Sequence, residues 1–303
     1  MTIGIPRALF YYRYGEFWKQ FFQSLGIKII ISPKTNKQIL EKGLVKVSSE
    51  VCLPIKIICG HIEILKNQVD AIFLPRFVKL NRGLYACPKM IGVVDIARIQ
   101  VGKSCRILSP KIKDNFITAH FLTGLKLTKN LFQTRKAIKN ALPYLKYDSK
   151  YEPNKQIKPQ ILLLSHFYNL GDEYIAQDII STFESLGFEI ATKEALPENI
   201  LKSSEGFAKN IRWIYERELY NAFQFYLDKV AGICNIISFG CGPDSLICEI
   251  MASEAQIKNI PFLKLVIDEH TSKTGLVTRI EAFSEIVFKR LKNEHLTNKN
   301  YLV

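Results

Sequence analysis

Asn235-Ile236-Ile237-Ser238-Phe239-Gly240-Cys241-Gly242-Pro243-Asp244-Ser245 joins two kinds of structure within a few residues. The segment from Asn235 to Phe239 is mostly apolar and β-branched or aromatic, as a buried strand requires. Gly240 and Gly242 permit a tight turn. Pro243 suits the first turn of a helix, because the N–H it lacks has no intrahelical partner there. The helix pattern then runs to Ala255, and Phe262 to Ile267 forms the next strand. Strand, thiol-bearing turn, helix and strand make one βαβ unit, the building block of parallel sheets.

The same alternation extends in both directions. Ile161 to Leu164 reads as a strand, Asp172 to Leu186 as a helix, Phe188 to Ala191 as a strand, Arg212 to Val230 as a long helix and Val277 to Leu291 as a closing helix. In the first half, Leu9, Phe10, Phe17, Phe21 and Leu25 recur at helical spacing over Arg7 to Leu25 and stop at Gly26. Ile27 to Ile31 follows as a buried strand, Thr35 or Asn36 caps a short helix to Lys42, and Leu44 to Val47 is expected as a second strand. Pro54 to Lys66 is helical, Asp70 to Leu74 a strand, Met90 to Ile99 a helix and Arg106 to Leu108 a strand. The pattern predicts an α/β fold: two doubly wound, Rossmann- or flavodoxin-like parallel-sheet domains facing across a cleft. The expected divisions are a first domain over 1–110, a basic helical segment and linker over 111–158 that ends in Tyr151-Glu152-Pro153-Asn154, a second domain over 159–275 and a C-terminal helix over 276–303.

Three of the seven cysteines are followed within two residues by proline, in Cys52-Leu53-Pro54, Cys87-Pro88 and Cys241-Gly242-Pro243. Each thiol is therefore expected at a helix start or sharp turn, where free backbone N–H groups and the positive end of the helix dipole favour a thiolate or an anionic cluster. Ligands of open parallel sheets bind beyond the carboxyl ends of the strands, so all three can point into one interdomain cleft. Three thiolates would leave one iron of a [4Fe–4S] cube open. The bland alternative is three structural cysteines, which are common in protein interiors. Cys59, Cys105, Cys234 and Cys248 lack the proline and read as core. Cys52-x-Pro-x-x-x-x-Cys59 and Cys241-x-Pro-x-x-x-x-Cys248 share one spacing, an echo between the halves.

Composition narrows the class. At 303 residues and 48% hydrophobic, the chain can fill two ordinary α/β domains. Its apolar runs are strand-sized, the start Ile3-Gly4-Ile5-Pro6-Arg7 has no leader pattern, and seven cysteines do not make a secreted disulfide framework. A soluble cytoplasmic protein is the expectation. The net charge of +14 is spread along a lysine-rich chain, densest from Lys126 to Lys158, without the arginine–aromatic clusters of specific nucleic-acid readers. This reads first as a solvated lysine surface, argues against nucleic acid, and leaves anionic small ligands such as nucleotides or coenzyme A as the remaining alternative.

Gly240-x-Gly242-x-x-Ser245 after a strand, with Asp268 and Glu269 closing the next, imitates a dinucleotide fingerprint whose third glycine is replaced by serine. No phosphate-binding Gly-x4-Gly-Lys-Ser/Thr loop is present. Glu50, His61, His166, Tyr168, Asp172 and Asp268-Glu269-His270 lie near strand ends or helix starts, where they serve either a bound group or a plain cap. Asp172, after Asn169-Leu170-Gly171, suits a plain N-cap.

The opening Ile3-Gly4-Ile5-Pro6-Arg7-Ala8-Leu9, with Phe17-Trp18 and Phe21-Phe22, resembles that of the acyl-CoA dehydratase activase-related proteins. Glu50-Val51-Cys52-Leu53-Pro54-Ile55-Lys56, Gly60-His61, Phe73-Leu74-Pro75-Arg76 and Cys87-Pro88 continue the likeness. So do His166-Phe167-Tyr168-Asn169, Phe239 to Ser245, and Asp268-Glu269-His270-Thr271 with Gly275-Leu276 and Arg279. The resemblance covers nearly the whole chain except its basic middle. Cys59 departs from it, standing where histidine is expected before Gly60-His61.

The group is similar to the cluster-bearing subunits of 2-hydroxyacyl-CoA dehydratases and to double-cubane cluster proteins. The resemblance implies a [4Fe–4S] cluster, or its double-cubane form, on three cysteines that map onto Cys52, Cys87 and Cys241. Glu50, His61 and Asp244 become candidate catalytic groups beside it. It also implies a separate activase-type ATPase as donor of low-potential electrons, an acyl-CoA or other small substrate, and a homo- or heterodimeric assembly. In the dehydratases the open iron binds the thioester carbonyl and passes it one electron. Three readings stand: a dehydratase-like lyase or reductase component, an electron-relay or binding module without turnover, and a nucleotide-binding enzyme with no cluster.

Overall fold

The computed structural model describes residues 1–81, 83–145 and 158–300, with residues 81 and 294–300 described by backbone alone. The expected linker at Tyr151-Glu152-Pro153-Asn154 lies outside the described residues. Two compact units divide the chain: Met1–Asp148 with Phe167–Tyr174 and Asn210–Tyr215, and Ser149–His166 with Ile175–Lys209 and Glu216–Val303.

In the first unit, β1 (Thr2–Ile5), α1 (Tyr11–Ser24), β2 (Lys28–Ile31), α2 (Lys37–Leu44), α3 (Leu53–Leu65) and β3 (Ala71–Phe73) follow one another. Then come β4 (Arg76–Asn81), β5 (Leu84–Tyr85), α4 (Pro88–Val101), β6 (Arg106–Leu108), β7 (Lys111–Lys113), α5 (Phe116–Thr128) and α6 (Leu131–Ala141). The main sheet has the order β2-β1-β3-β6 with every pair parallel, so the chain steps one way from β1 and then the other. The helix of Arg7 to Leu25 begins later than its periodicity suggests, because Leu9 takes a left-handed conformation (φ 50°) that no helix continues through. Gly26 ends it with φ 69°. Asn36 caps α2, its side chain accepting from the Ile39 N–H at 3.0 Å.

Two strand expectations need correction. Leu44 to Val47 is not a strand: α2 runs to Leu44 and the chain then turns. Gly43 holds that end of α2 against α3, where a Cβ would lie 1.9 Å from the Lys56 carbonyl oxygen. β2 is half-buried and not core, because it is an edge strand covered on fewer sides. A small sheet, β5-β4-β7, was not legible, since β5 has two residues and β4 pairs irregularly with both neighbours. Around α1, α5 and this sheet, Phe10 stacks on Phe77 with ring centroids 3.7 Å apart, and Phe17, Phe21, Phe73 and Phe116 surround His120.

The second unit continues with β8 (Gln160–Leu164), α7 (Phe167–Leu170, grouped with the first unit), α8 (Glu173–Ser185), β9 (Glu189–Ala191) and α9 (Glu198–Leu201). It closes with α10 (Ile214–Tyr226), β10 (Gly232–Ser238), α11 (Gly242–Ile257), β11 (Phe262–Ile267) and α12 (Lys273–Asn300). Its sheet, β11-β10-β8-β9, is again wholly parallel. Taken in chain order, both sheets have the strand order 2-1-3-4, the flavodoxin-like pattern. β10 is buried throughout, as a central strand covered on both faces must be. Among the described residues no helix is long and apolar enough to cross a membrane.

Candidate metal centre

In a doubly wound sheet the strand order reverses at one place, and the crevice at the carboxyl ends of the two strands there is the ligand site. In the second unit those strands are β8 and β10. His166 stands two residues past β8 and Cys241 three residues past β10. The Ser165 hydroxyl donates to the Ile236 carbonyl at 3.0 Å, fixing the end of β8 to β10. Gly240, with φ 76°, reverses the chain, and the Cys241 N–H donates to the Ser238 carbonyl at 3.0 Å. Cys241 is the N-cap of α11, with Pro243 in the first turn.

α11 also carries Asp244 in its first turn, buried at 4% exposure. His166, 2% exposed, places Nε2 2.7 Å from Asp244 Oδ1. One ligand atom each of His166, Cys241 and Asp244 lies within 4.8 Å of the other two. Burial opposes the imidazolium of His166, but Asp244 and Glu216 outweigh it and the ring is held above its ordinary value. Burial raises the Glu216 carboxyl, with His166 working against the rise. Beside them Lys193 Nζ donates to Glu218 Oε2 at 2.9 Å, both side chains 2% exposed. This unit therefore buries a charged network beneath a partly exposed thiol, an arrangement concentrated at functional sites.

In the first unit Cys52 is the N-cap of α3 and Cys87 the N-cap of α4, each with proline in the first turn. Both helices feed back into parallel strands of the main sheet, so both starts lie at its carboxyl end. Lys89 Nζ donates to the Glu50 carbonyl at 3.2 Å and ties the two starts together. Glu50 itself is exposed. Cys52 is 9% exposed and Cys87 more so.

His61, by contrast, is wholly buried within α3. Its Nε2 is 3.1 Å from Thr35 Oγ1, whose single proton goes to Asp172 Oδ2 at 2.6 Å. His61 must then donate from Nε2, which fixes the neutral tautomer. Burial first, and Arg7 second, hold His61 down at about 3. Asp172 does cap α8, accepting from the Tyr174 N–H at 3.1 Å, yet it is also 3% exposed and serves this network. Asp268 accepts from the His270 N–H and the Thr271 hydroxyl and so shapes its own turn. Cys59, Cys234 and Cys248 are fully buried, and burial pushes Cys59 up to about 12, as inert core thiols behave.

The profile of the family described as CoA enzyme activase uncharacterised domain (DUF2229) matches residues 2–196. The chain belongs to this family. The match takes in the whole first sheet, Cys52, Cys87 and His166, and stops before Cys241. No curated protein matches the chain. Among solved structures it is similar to a LacI family transcriptional regulator from Arthrobacter sp. FB24 in complex with lactose, at 11% identity over 96% of this chain and 91% of that one, with a TM-score of 0.22. It is also similar to a candidate phosphosugar isomerase from Silicibacter pomeroyi DSS-3, at 10% identity over 97% and 87% of the two chains, with a TM-score of 0.22. Scores that low carry no argument about fold or ligand.

Proposed function

We propose that this member of the activase-related family is an iron–sulfur protein whose cluster, a [4Fe–4S] cube or its double-cubane form, is held by Cys52, Cys87 and Cys241. It takes electrons singly from a separate activase-type ATPase and delivers them to a small substrate of the acyl-CoA class. The observation that carries this reading is the shared setting of the three thiols. Each caps a helix whose first turn contains proline, at the carboxyl end of a parallel sheet. The donor set fits such a cluster: these are thiols, two of them partly exposed, at helix ends that favour the thiolate. A net charge of +14 suits a polyanionic ligand such as coenzyme A.

When bound, the cluster supplies a low-potential one-electron carrier with a Lewis-acidic open position. The chain's own residues supply the surroundings. The starts of α3, α4 and α11 stabilise thiolate charge. His166, held by Asp244, keeps a proton on Nε2 beside Cys241, and the fixed strand ends position that thiol. Lys89 ties Glu50 to the start of α4 and so limits motion between Cys52 and Cys87.

Anaerobic purification followed by iron and acid-labile sulfide analysis tests the proposal. The expected result is a brown protein with about four irons and four sulfides per cube. A colourless, iron-free protein overturns it.

A further inference from the structure

We infer that the cluster-free chain binds a single divalent transition-metal ion through Cys241 Sγ, a ring nitrogen of His166 and a carboxylate oxygen of Asp244. The spacing carries this. Ligand atoms of the three residues all lie within 4.8 Å of one another. The trio contains a single thiol beside a nitrogen and an oxygen donor, whereas an iron–sulfur cube is held by several thiolates. Ligands of one tetrahedral ion, at about 2.0–2.3 Å from it, lie about 3.3–3.7 Å from each other. The trio therefore closes on one ion with small adjustments. His166 and Asp244, now 2.7 Å apart, open to about 3.3 Å as the shared proton leaves.

Charge and chemistry select the ion. A thiolate and a carboxylate bring two negative charges against the two positive charges of the metal. Sulfur, nitrogen and oxygen together suit Zn2+, Co2+ or Fe2+, whereas Mg2+ and Ca2+ take oxygen donors. The ligands also sit on rigid elements. His166 follows β8, whose end is tied to β10 by the bond from Ser165 to Ile236. Cys241 and Asp244 share the first turn of α11, and the Ser245 hydroxyl donates to the Cys241 carbonyl at 2.7 Å. His166 and Asp244 are buried while Cys241 is partly exposed, so three protein ligands leave a fourth position on the thiol side for water or a substrate donor. The site goes beyond the cluster reading and shares only Cys241 with it. A thiol that ligates the ion is not free for a cluster, so the two occupants exclude each other.

The test is titration of the full chain, stripped of metal with a chelator, with Co2+. One equivalent is expected to give visible d–d bands of a four-coordinate ion and a thiolate-to-cobalt charge-transfer band, both abolished by Zn2+. Cys241→Ser, which keeps a good N-cap, should remove the charge-transfer band. Asp244→Asn and His166→Gln should each weaken Co2+ binding at least about tenfold. Cys52→Ser and Cys87→Ser should leave the titration unchanged. Absence of the bands in the wild type, or their survival in Cys241→Ser, overturns the inference, and so does their loss in Cys52→Ser or Cys87→Ser. If the buried variants fail to fold, the Cys241→Ser titration decides. Co2+ binding by a chain that never yields iron and sulfide refutes the cluster proposal alone. A brown, iron-loaded protein whose stripped form ignores Co2+ refutes this inference alone.

Discussion

His120 shows how a single ring can be dictated by its surroundings. The Trp18 N–H donates to His120 Nε2 at 3.0 Å, and His120 Nδ1 meets the Phe116 carbonyl at 2.8 Å. One nitrogen must therefore accept while the other donates, which is the neutral ring. Burial holds this histidine down at about 4. The folded value is depressed below the unfolded one, so its contribution to stability is complete above about pH 6.5 and is lost as the pH falls toward 4. From this group the loss at pH 5 is about 2 kcal/mol. His61 acts in the same direction, and Asp172, raised by burial, opposes both. The clean measurement is a difference: urea unfolding of wild type and His120→Leu at pH 7 and pH 5. The variant is expected to be about 1–3 kcal/mol less stable at pH 7, because the Trp18 N–H loses its acceptor, with the gap narrowing at pH 5. A gap that stays constant with pH would refute the neutral assignment. None of this was legible in the sequence, since Trp18 and His120 are 102 residues apart. The thiol–proline steps were legible, because what a proline does to a helix start is local.

Elements divide in the same way. Strands and helices bounded by glycine, proline or a capping residue were readable, as with Asn36 before α2 and Cys87-Pro88 before α4. Leu44 to Val47 misled because its β-branched pattern is overridden by packing of α2 on α3. Two glycines make that packing possible: a Cβ on Gly43 would sit 1.9 Å from the Lys56 carbonyl oxygen, and one on Gly60 would sit 1.9 Å from the Ile39 carbonyl oxygen. Both obstacles are backbone, so the helices themselves must move. Gly60→Ala is expected to cost about 2 kcal/mol, despite alanine's better helix propensity. Thermal unfolding measures it, and a variant as stable as wild type would contradict the close approach. β5 and β7 escaped the sequence reading because two and three residues make no period visible, and the six-residue β4 because it mixes basic or polar with apolar residues and pairs irregularly on both sides.

At the scale of the whole molecule, the two sheets share the strand order 2-1-3-4. The thiol that begins the helix before the last strand is Cys87 in one unit and Cys241 in the other, so the shared spacing of Cys52 to Cys59 and Cys241 to Cys248 falls at non-equivalent places in the two units. The sequence marked His166, Asp244 and Cys241 separately. Their convergence needed the topology, because β8 and β10 are neighbours only once the strand between them in sequence, β9, is placed on the far side of β8. The central claim is that Cys52, Cys87 and Cys241 hold iron while Cys59, Cys234 and Cys248, which are core, and Cys105, which is only half-buried and not the core residue its sequence setting suggests, do not. It is tested most directly by iron and sulfide content, after anaerobic purification, of seven single Cys→Ser variants. Loss of iron in Cys52→Ser, Cys87→Ser and Cys241→Ser, with retention in folded variants at Cys59, Cys105, Cys234 and Cys248, is the predicted result. Full iron in any of the first three would contradict it.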